Sequence, residues 1–184
     1  KDGMLMTSST GYTVCKFDTK ALDMGYRDQT SKNYTDAPIY WLSVIYLNYA
    51  EACAELGSCT QNDLNISVNK LRARVGMPNM TVSPVADAAN NMNVSNLIWE
   101  IRRERRVELM FDNDTRFWDL IRWHQLDKLD SSKNPNILLG ANVSVDTALD
   151  TKATAKKGDY IDASRNGVRK YEAKYYLYPI PTSQ

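Results

Sequence analysis

The sequence is poor in the residues from which metal centres and nucleophilic active sites are usually built. It contains one histidine, His124, and three cysteines, Cys15, Cys53 and Cys59, which lack the spacing of a zinc site. No nucleophile elbow, P-loop or dinucleotide-binding motif occurs around its 8 glycines. We therefore expect no metal site and no cofactor.

The three cysteines leave the question of a disulfide open. Cys53 and Cys59 are six residues apart across the end of a predicted helix, and they would be able to pair in an oxidising compartment. Cys15 would then be odd. Two unpaired thiols are the favoured alternative.

The chain also lacks an excess of charge and a long apolar run. Its 23 Lys+Arg and 22 Asp+Glu give a net charge of +1, which argues against a dedicated nucleic-acid binder. No stretch approaches the roughly 18 consecutive apolar residues of a membrane helix. The first residues, KDGMLMTSST, lack the pattern of a signal peptide. Because the sequence begins at Lys1, we expect a processed product or a fragment of a longer chain.

Apolar residues at helical spacing predict a first helical hairpin over residues 38–76. Pro38 suits a first helical turn, and Gly57 suits a C-terminal cap. The second helix begins near Asn62 or Asp63 and ends at Gly76. The apolar positions of the first helix, which define one face, are Leu42, Ile45, Tyr46, Tyr49, Ala52, Cys53 and Leu56.

A second helical hairpin is predicted over residues 95–128. Ser95 is a good N-cap and opens a helix that continues to about Met110. The run Asp112-Asn113-Asp114-Thr115 breaks this helix, because Asn and Asp tolerate the left-handed conformation and cap the next helix. Two successive helix pairs predict a mainly α class and raise the possibility of a helical-repeat array, although the pairs share no clear internal sequence pattern.

Residues 130–184 are predicted to be a loop-rich elaboration of the helical core. A short strand is expected near 137–139 or 143–145, and another over Tyr12–Phe17. Asn166-Gly167 lies between 160–163 and 168–171 and predicts a small β-hairpin. The terminal segment Tyr175–Pro181 reads as extended chain.

The third predicted helix carries charges on its apolar side. Glu104, Arg105 and Glu108 fall inside the arc that is otherwise formed by apolar residues such as Ile101 and Leu109. Because buried charges require partners, we expect these three side chains to be buried and paired with the following helix. The partners expected there are Arg116, Asp119 and Arg122.

Two other interpretations of this helix are disfavoured. Paired carboxylates would suit acid–base work, but neighbouring arginines lower a carboxyl pKa and so disfavour a general acid. A basic patch for nucleic acid is disfavoured because Glu100, Glu104 and Glu108 interrupt the arginines. A structural ion network is therefore the preferred interpretation.

Most of the aromatic residues carry a polar group, with 11 Tyr and 4 Trp against 3 Phe. Such rings stack well on polar ligands with an apolar face, although most of these lie in predicted helices and would pack there. Looser segments contain Tyr12, Tyr26, Tyr34 and Tyr160. From their loop positions, we take Tyr26, Tyr34 and Tyr160 as candidate ligand-binding residues.

Five motifs, taken in order, resemble the C-terminal region of SusD/RagB-type proteins over about residues 10–184. They are Tyr46-Leu-Asn-Tyr-Ala-Glu-Ala, Val68-Asn-Lys-Leu-Arg-Ala-Arg-Val-Gly-Met-Pro, Arg103-Glu-Arg-Arg-Val-Glu-Leu-Met-Phe, Arg116-Phe-Trp-Asp-Leu-Ile-Arg-Trp and Tyr176-Leu-Tyr-Pro-Ile-Pro. In this resemblance, the charged residues of the third and fourth helices belong to the family's scaffold. Relatives are longer, so the chain is expected to be a fragment.

The resemblance implies a non-enzymatic, surface-exposed outer-membrane lipoprotein that is mostly helical, with TPR-like helical hairpins. Such a protein binds glycans or oligosaccharides and passes them to a SusC-type TonB-dependent transporter. Membrane contact would occur only through an N-terminal lipid anchor absent from this chain. No binding residue is carried over by motif, because the aromatic residues that line the pockets vary between members.

Two alternatives to glycan binding stay open. A TPR-like module without sugar affinity would bind a peptide or a partner subunit, and an exposed apolar groove would favour it. A glycosidase would require two carboxylates about 5–10 Å apart, free of arginine partners, in an open cleft.

Overall fold

The computed structural model describes residues 8–12, 14, 16, 21–27, 31–32, 34, 38–112, 114–145, 155–164 and 167–177. The chain divides into two compact units, and each is described by itself. The helical unit is Pro38–Trp123. The loop unit combines Lys1–Ala37 with His124–Gln184. Within the described ranges, no helix has the length and apolarity required to cross a bilayer.

The elements confirm the predicted mainly α class with a small antiparallel sheet. The α-helices are α1 Met24–Arg27, α2 Leu42–Glu55, α3 Gln61–Ile66, α4 Val68–Arg74, α5 Asn96–Glu108 and α6 Thr115–Arg122. Short 3-10 turns occupy Leu126–Leu129, Pro135–Leu138 and Ala173–Tyr176. The strands are β1 Leu139–Asn142, β2 Lys156–Lys157 and β3 Tyr160–Asp162.

The buried face of α2 differs from the apolar face predicted for the first helix. Leu42, Ile45, Tyr49 and Leu56 are 62%, 61%, 42% and 80% exposed, and we call them the α2 stripe. α2 is apolar around most of its circumference, so the spacing of its apolar residues does not identify the side that packs. The side that packs carries Ser43, Leu47, Ala50 and Glu51.

The predicted C-terminal cap of α2 is present. Gly57 takes the left-handed conformation at φ 68°. The amide of Ser58 donates to the carbonyl of Cys53, and the amide of Gly57 donates to that of Ala54. This pair of bonds is a Schellman motif, which glycine suits because it has no Cβ.

The second predicted helix is divided into α3 and α4 at Ser67. The Ser67 hydroxyl donates to the carbonyl oxygen of Asp63, and the Ser67 backbone leaves helical geometry at φ −126°, ψ −104°. Such a bond from a serine to the preceding turn competes with the helical ladder. At its start, α3 has a capping box in which Thr60 and Asp63 exchange side-chain to backbone bonds.

α5 begins as its sequence predicts, and the following turn uses two left-handed residues. The Ser95 hydroxyl accepts a hydrogen bond from the amide of Ile98. Phe111 and Asp114 have φ of 65° and 53°, while Asn113 lies outside the described residues. Phe111 is exposed because this turn swings it away from the core.

α2, α3, α4 and α5 enclose the hydrophobic core of the helical unit, with α2 against α5 as the main contact. Leu47, Leu64 and Ile101 are fully buried there. The remaining members of the core are Ala50, Val68, Leu71, Met80 and Leu109. The core thus joins residues from both predicted helical hairpins.

The sheet of the loop unit has the order β1-β3-β2, with antiparallel pairing throughout. β1 begins at the end of one predicted strand region and ends before the other. Gly140 in β1 is required because a Cβ there would clash with the carbonyl oxygen of Thr10, to which Ala141 donates a backbone bond.

The predicted hairpin of 160–163 with 168–171 is wrong. β3 instead pairs with β2 through the turn at Gly158, whose φ is 61°. Arg169 exchanges hydrogen bonds with Ser131, which draws residues 168–171 away from β3. Asn166 lies outside the described residues.

Two other predicted extended segments have only partial descriptions. Tyr175 and Tyr176 lie in the 3-10 turn Ala173–Tyr176, because the amide of Tyr175 donates to the carbonyl of Glu172, whereas residues 178–181 lie outside the described ranges. The strand predicted over Tyr12–Phe17 lies largely outside them as well. Its described residues, 12, 14 and 16, do not form a strand.

Candidate functional site

Glu51 is the centre of the charged network in the helical unit. Its Oε1 accepts hydrogen bonds from Arg102 Nε at 3.0 Å, Arg122 Nη1 at 3.1 Å and Trp123 Nε1 at 2.8 Å. Its Oε2 accepts from Arg122 Nη2 at 2.5 Å. Burial alone would raise the pKa of Glu51, but the donors Arg122, Trp123 and Arg102 outweigh it and lower the pKa.

Arginine side chains also surround the ring of Trp123. The guanidinium carbons of Arg102 and Arg122 lie 4.7 Å and 4.6 Å from its centroid. Cation–π attraction therefore adds to the ion pairs with Glu51. The network joins α2, α5 and the end of α6 through one buried carboxylate.

Arg105 and Asp119 form a second buried pair. Arg105 Nε lies 2.9 Å and 2.7 Å from the two carboxylate oxygens of Asp119, and Arg105 Nη1 donates to Asn48 at 2.8 Å. Arg122 Nε donates to the same Asp119 at 2.9 Å. Thus Arg105 has its charged partner in α6, and Arg122 bridges Asp119 to Glu51.

Glu104 and Glu108 have partners other than those expected from residues 116–122. Glu104 accepts from Arg72 Nη1 at 2.6 Å, and Glu108 accepts from Arg74 Nη2 at 2.5 Å. Both arginines belong to α4. The prediction that residues 116–122 pair with Glu104 and Glu108 was wrong. It assumed that α6, the next helix in sequence, lies beside these side chains, whereas α4 does.

Arg116 makes no ion pair with any residue in the described part of the chain. Its guanidinium carbon lies 5.9 Å from the Trp123 ring centroid. Burial and the nearby charge of Arg106 lower the pKa of Arg116, although Asp119 acts in the opposite direction. Arg116 therefore lies at the edge of the network instead of in one of its salt bridges.

The three candidate tyrosines all belong to the loop unit. Tyr26 and Tyr34 are exposed and contact each other edge to face, with ring centroids 6.2 Å apart. Tyr160, in β3, is partly exposed. The contact between Tyr26 and Tyr34, whose ring planes are 69° apart, holds two rings together at the surface, and the apolar face of a sugar can stack on an exposed tyrosine ring.

The loop unit also contains an open hollow of about 720 Å³. Its wall includes the turn at Asp130–Ser132, Lys157 of β2 and the segment 167–172. Ser131 and Arg169 fix these segments together, because the Ser131 amide donates to the Arg169 carbonyl at 2.9 Å and the Arg169 amide donates to Ser131 Oγ at 3.1 Å. We call this feature the loop-unit hollow.

Asp130 stabilises the floor of the loop-unit hollow. Its Oδ1 accepts from the Ser132 amide at 2.8 Å and hydroxyl at 2.6 Å, and its Oδ2 accepts from the Tyr171 amide at 3.0 Å. The Ser132 hydroxyl, the Tyr171 amide and the Ser132 amide lower the pKa of Asp130 to about 2. Asp130 is therefore a structural anion rather than a proton donor.

The cysteines form no disulfide among the described residues. Cys53 and Cys59 are free thiols, and Cys15 lies outside the described ranges. Burial and the neighbouring Cys53 raise the pKa of Cys59, which disfavours a reactive thiolate there. The described residues also contain no group of three or more His, Cys, Asp or Glu side chains able to hold a metal ion.

Sequence comparison identifies the family. The SusD family model matches residues 5–184, nearly the whole chain, and the chain therefore belongs to the SusD family. This confirms the resemblance carried by the five motifs. The family's members bind carbohydrate for nutrient uptake and are binding proteins rather than enzymes. No curated protein and no solved structure matches the chain.

Two features escaped the sequence analysis. Glu51 was read only as part of a motif, although an acid in the middle of an otherwise apolar helix signals a buried partner. The loop-unit hollow had no local signal, because it depends on contacts between residues almost forty positions apart. Its serine turns, Asp130-x-Ser132 and Asp162-x-Ser164, were readable as Asx turns.

Proposed function

We propose that this chain binds nutrient oligosaccharides and works with a SusC-type TonB-dependent transporter, without catalysing a reaction. The observation that carries the proposal is the match of the SusD family to residues 5–184. The outer-membrane, surface-exposed location and the lipid anchor belong to the same proposal and have the same support.

The charged groups of the helical unit favour binding over hydrolysis. A glycosidase requires a carboxylic acid that keeps its proton near neutral pH and a second carboxylate facing it across a cleft. Glu104, Glu108 and Asp119 are instead each held by an arginine within 3 Å. Carboxylates that pair with scaffold arginines in this way hold helices together instead of facing a partner carboxylate as an acid–base pair.

Tyr26 and Tyr34 are the rings proposed to stack on the saccharide, with Tyr160 as a third. The two contacting rings present apolar faces and leave their hydroxyl groups for water or sugar. Sugar rings have one apolar face and a polar edge, so they bury the first and hydrogen-bond through the second. The proposed site is therefore a surface platform in the loop unit.

The test is a titration of the 184-residue chain with a panel of oligosaccharides by affinity gel electrophoresis and calorimetry. The double variant Tyr26→Ala/Tyr34→Ala should bind about five- to tenfold more weakly, since losing an aromatic anchor costs on the order of 1 kcal/mol. Tyr40→Ala is the matched control, because Tyr40 is 93% exposed and lies in the helical unit. Equal binding by both variants would contradict the tyrosine platform.

The α2 stripe favours a second candidate function, the binding of an amphipathic helix from a partner protein. The stripe runs from Leu42 to Leu56, which is about 20 Å at 1.5 Å per residue. None of its four residues is charged. A partner helix with apolar residues at matching spacing would bury it. A chain that binds no oligosaccharide of the panel would favour this function over the first.

A further inference from the structure

Hydrogen-bond acceptors in the loop-unit hollow are already engaged. Oδ1 and Oδ2 of Asp130 accept from Ser132 and Tyr171, as described above. Asp162 Oδ1 accepts from the amide and the hydroxyl of Ser164, at 3.0 Å and 2.6 Å. Glu172 pairs with Lys174 at 2.7 Å and accepts from the Tyr175 hydroxyl at 3.2 Å. These carboxylates are therefore partly engaged by their own turns and neighbours, which leaves fewer of their lone pairs for the hydroxyl groups of a neutral sugar.

The serine hydroxyl protons of the hollow are engaged in the same way. Ser131 donates to the carbonyl of Arg169 at 3.1 Å, Ser132 donates to Asp130, and Ser164 donates to Asp162. A hydroxyl group has one proton, so a serine that donates a hydrogen bond to a carboxylate or carbonyl cannot also donate one to a ligand. These side chains build the wall and are not its free donors.

The positively charged side chains of the hollow differ from its carboxylates and hydroxyl groups, because they lack ion-pair partners within the described ranges. Lys157, Arg169 and Lys170 line it and are exposed, and within the described ranges none of them forms an ion pair. Lys170 acts on Glu172 only through its charge. The side-chain donors of the wall that lack partners in the described part of the chain are therefore cationic. A negatively charged ligand rich in hydrogen-bond acceptors would satisfy them.

A fixed aromatic ring lies among these cations. The Tyr171 amide is bound to Asp130, and its ring contacts that of Tyr176 edge to face with centroids 5.8 Å apart. This ring adds to the apolar surface of the wall, to which Pro135, Leu138 and Val168 also contribute. The volume of the hollow, about 720 Å³, is within the range of about 300–1,000 Å³ typical of small-molecule sites.

We propose that the loop-unit hollow binds the acidic part of an oligosaccharide, with Lys157, Arg169 and Lys170 holding its carboxylate or sulfate groups and Tyr171 facing a sugar ring. This inference rests on the proposed saccharide-binding function. It names the ligand class, an acidic oligosaccharide, and a site separate from the Tyr26 and Tyr34 platform.

The experiment compares oligosaccharides of equal length, one neutral, one built of uronic acids and one sulfated, in calorimetric titrations at two salt concentrations. The variant Lys157→Gln/Lys170→Gln removes two hollow cations. The matched control, Lys32→Gln/Lys70→Gln, removes two lysines that are exposed and unpaired within the described ranges and lie outside the hollow.

The wild-type chain should prefer an acidic oligosaccharide, and its affinity should fall as salt rises. The hollow variant should lose about tenfold or more of that affinity, because two charge-assisted contacts are removed. The control variant should stay within about twofold of wild type, since neither of its lysines lines the hollow. Preference for either acidic probe supports the proposal and identifies the acidic group.

Four outcomes would overturn the inference. Equal affinity for neutral and acidic oligosaccharides, or equal losses in the hollow and control variants, would reject the acidic site and leave the proposed function standing. Binding only of the neutral oligosaccharide would have the same meaning. Binding of none of the three would reject both this inference and the proposed function.

Discussion

The two units stabilise their buried acids by opposite means. In the helical unit, Glu51 receives hydrogen bonds from Arg102 and Arg122, which are 51 and 71 residues away along the chain. In the loop unit, Oδ1 of Asp130 receives its two hydrogen bonds from Ser132, two residues away. Glu51 thus joins helices that are distant in sequence, whereas Asp130 shapes a local turn through Oδ1 and reaches one distant group, the Tyr171 amide, through Oδ2.

The same local hydrogen-bonding pattern occurs at three turns of the loop unit. Asp130, Asn142 and Asp162 each accept from the amide and hydroxyl of a serine two positions later, at Ser132, Ser144 and Ser164. Acids satisfied by their own turns leave nearby cations without partners, whereas the helical unit uses its cations to hold helices together. The difference separates a scaffold from a surface with unused binding capacity.

The largest loss of stability is expected when the long-range hydrogen bonds to Glu51 are removed. Glu51→Ala should lower the free energy of unfolding by about 3–5 kcal/mol, because it leaves buried arginine and indole donors without an acceptor. The measurement is urea unfolding followed by circular dichroism. The loss should appear as a lower midpoint with little change in slope.

The control for this comparison is Glu172→Ala in the loop unit. Glu172 pairs with Lys174 at the surface, two residues away. Its loss should leave the unfolding midpoint within experimental error, since exposed pairs add little to stability. If the two variants unfold at the same urea concentration, the distinction between long-range and local acids does not hold.

A second contrast lies within α2. Leu47→Ala should cost about 2–5 kcal/mol, because it opens a cavity in the core, whereas Leu42→Ala on the α2 stripe should change stability by less than about 0.5 kcal/mol. Both variants remove the same atoms from the same helix, which makes each the control for the other. Thermal and urea unfolding measure the difference. A large cost at Leu42 would mean that the stripe is covered.

Sequence reasoning succeeded where a local rule decides the structure. Ser95 caps α5 and Gly57 caps α2 as predicted, because both depend on a few consecutive residues. The family was also recognisable, since the order of five motifs needs no knowledge of packing.

It failed where the packing partner decides. The spacing of Leu42, Ile45 and Tyr49 is helical, but it did not reveal that Leu47 lies on the core side, because α2 is apolar on both sides. Likewise, the charges on α5 predicted that partners exist. They could not show that α4 supplies those of Glu104 and Glu108.

The candidate site was the least predictable part. Loop position was enough to select Tyr26, Tyr34 and Tyr160 as candidates, and two of these rings do contact each other. The loop-unit hollow forms only when Ser131 meets Arg169, a contact that leaves no periodic pattern in the sequence. A serine two positions after an aspartate indicates the turn but not the wall that it joins.

The smallest expected effect is a pH dependence at Asp130. Its pKa of about 2 in the folded chain lies below the value of about 3.9 expected when the chain is unfolded. Since the folded pKa is the lower one, Asp130 contributes stability above about pH 4 and loses that contribution as the pH falls towards 2. The difference in thermal midpoint between wild type and Asp130→Asn should therefore shrink over this interval.

Carbon-detected NMR titration of the Asp130 carboxyl group tests the cause directly. Ser132→Ala should raise the pKa of Asp130, because it removes the hydroxyl that contributes most to the lowering and leaves the two backbone amides in place. Ser144→Ala is the matched control, since its hydroxyl bonds to Asn142 and not to Asp130. A wild-type titration midpoint near 4, unchanged in Ser132→Ala, would show that the local turn does not hold the charge. Asp130 would then cease to contrast with Glu51.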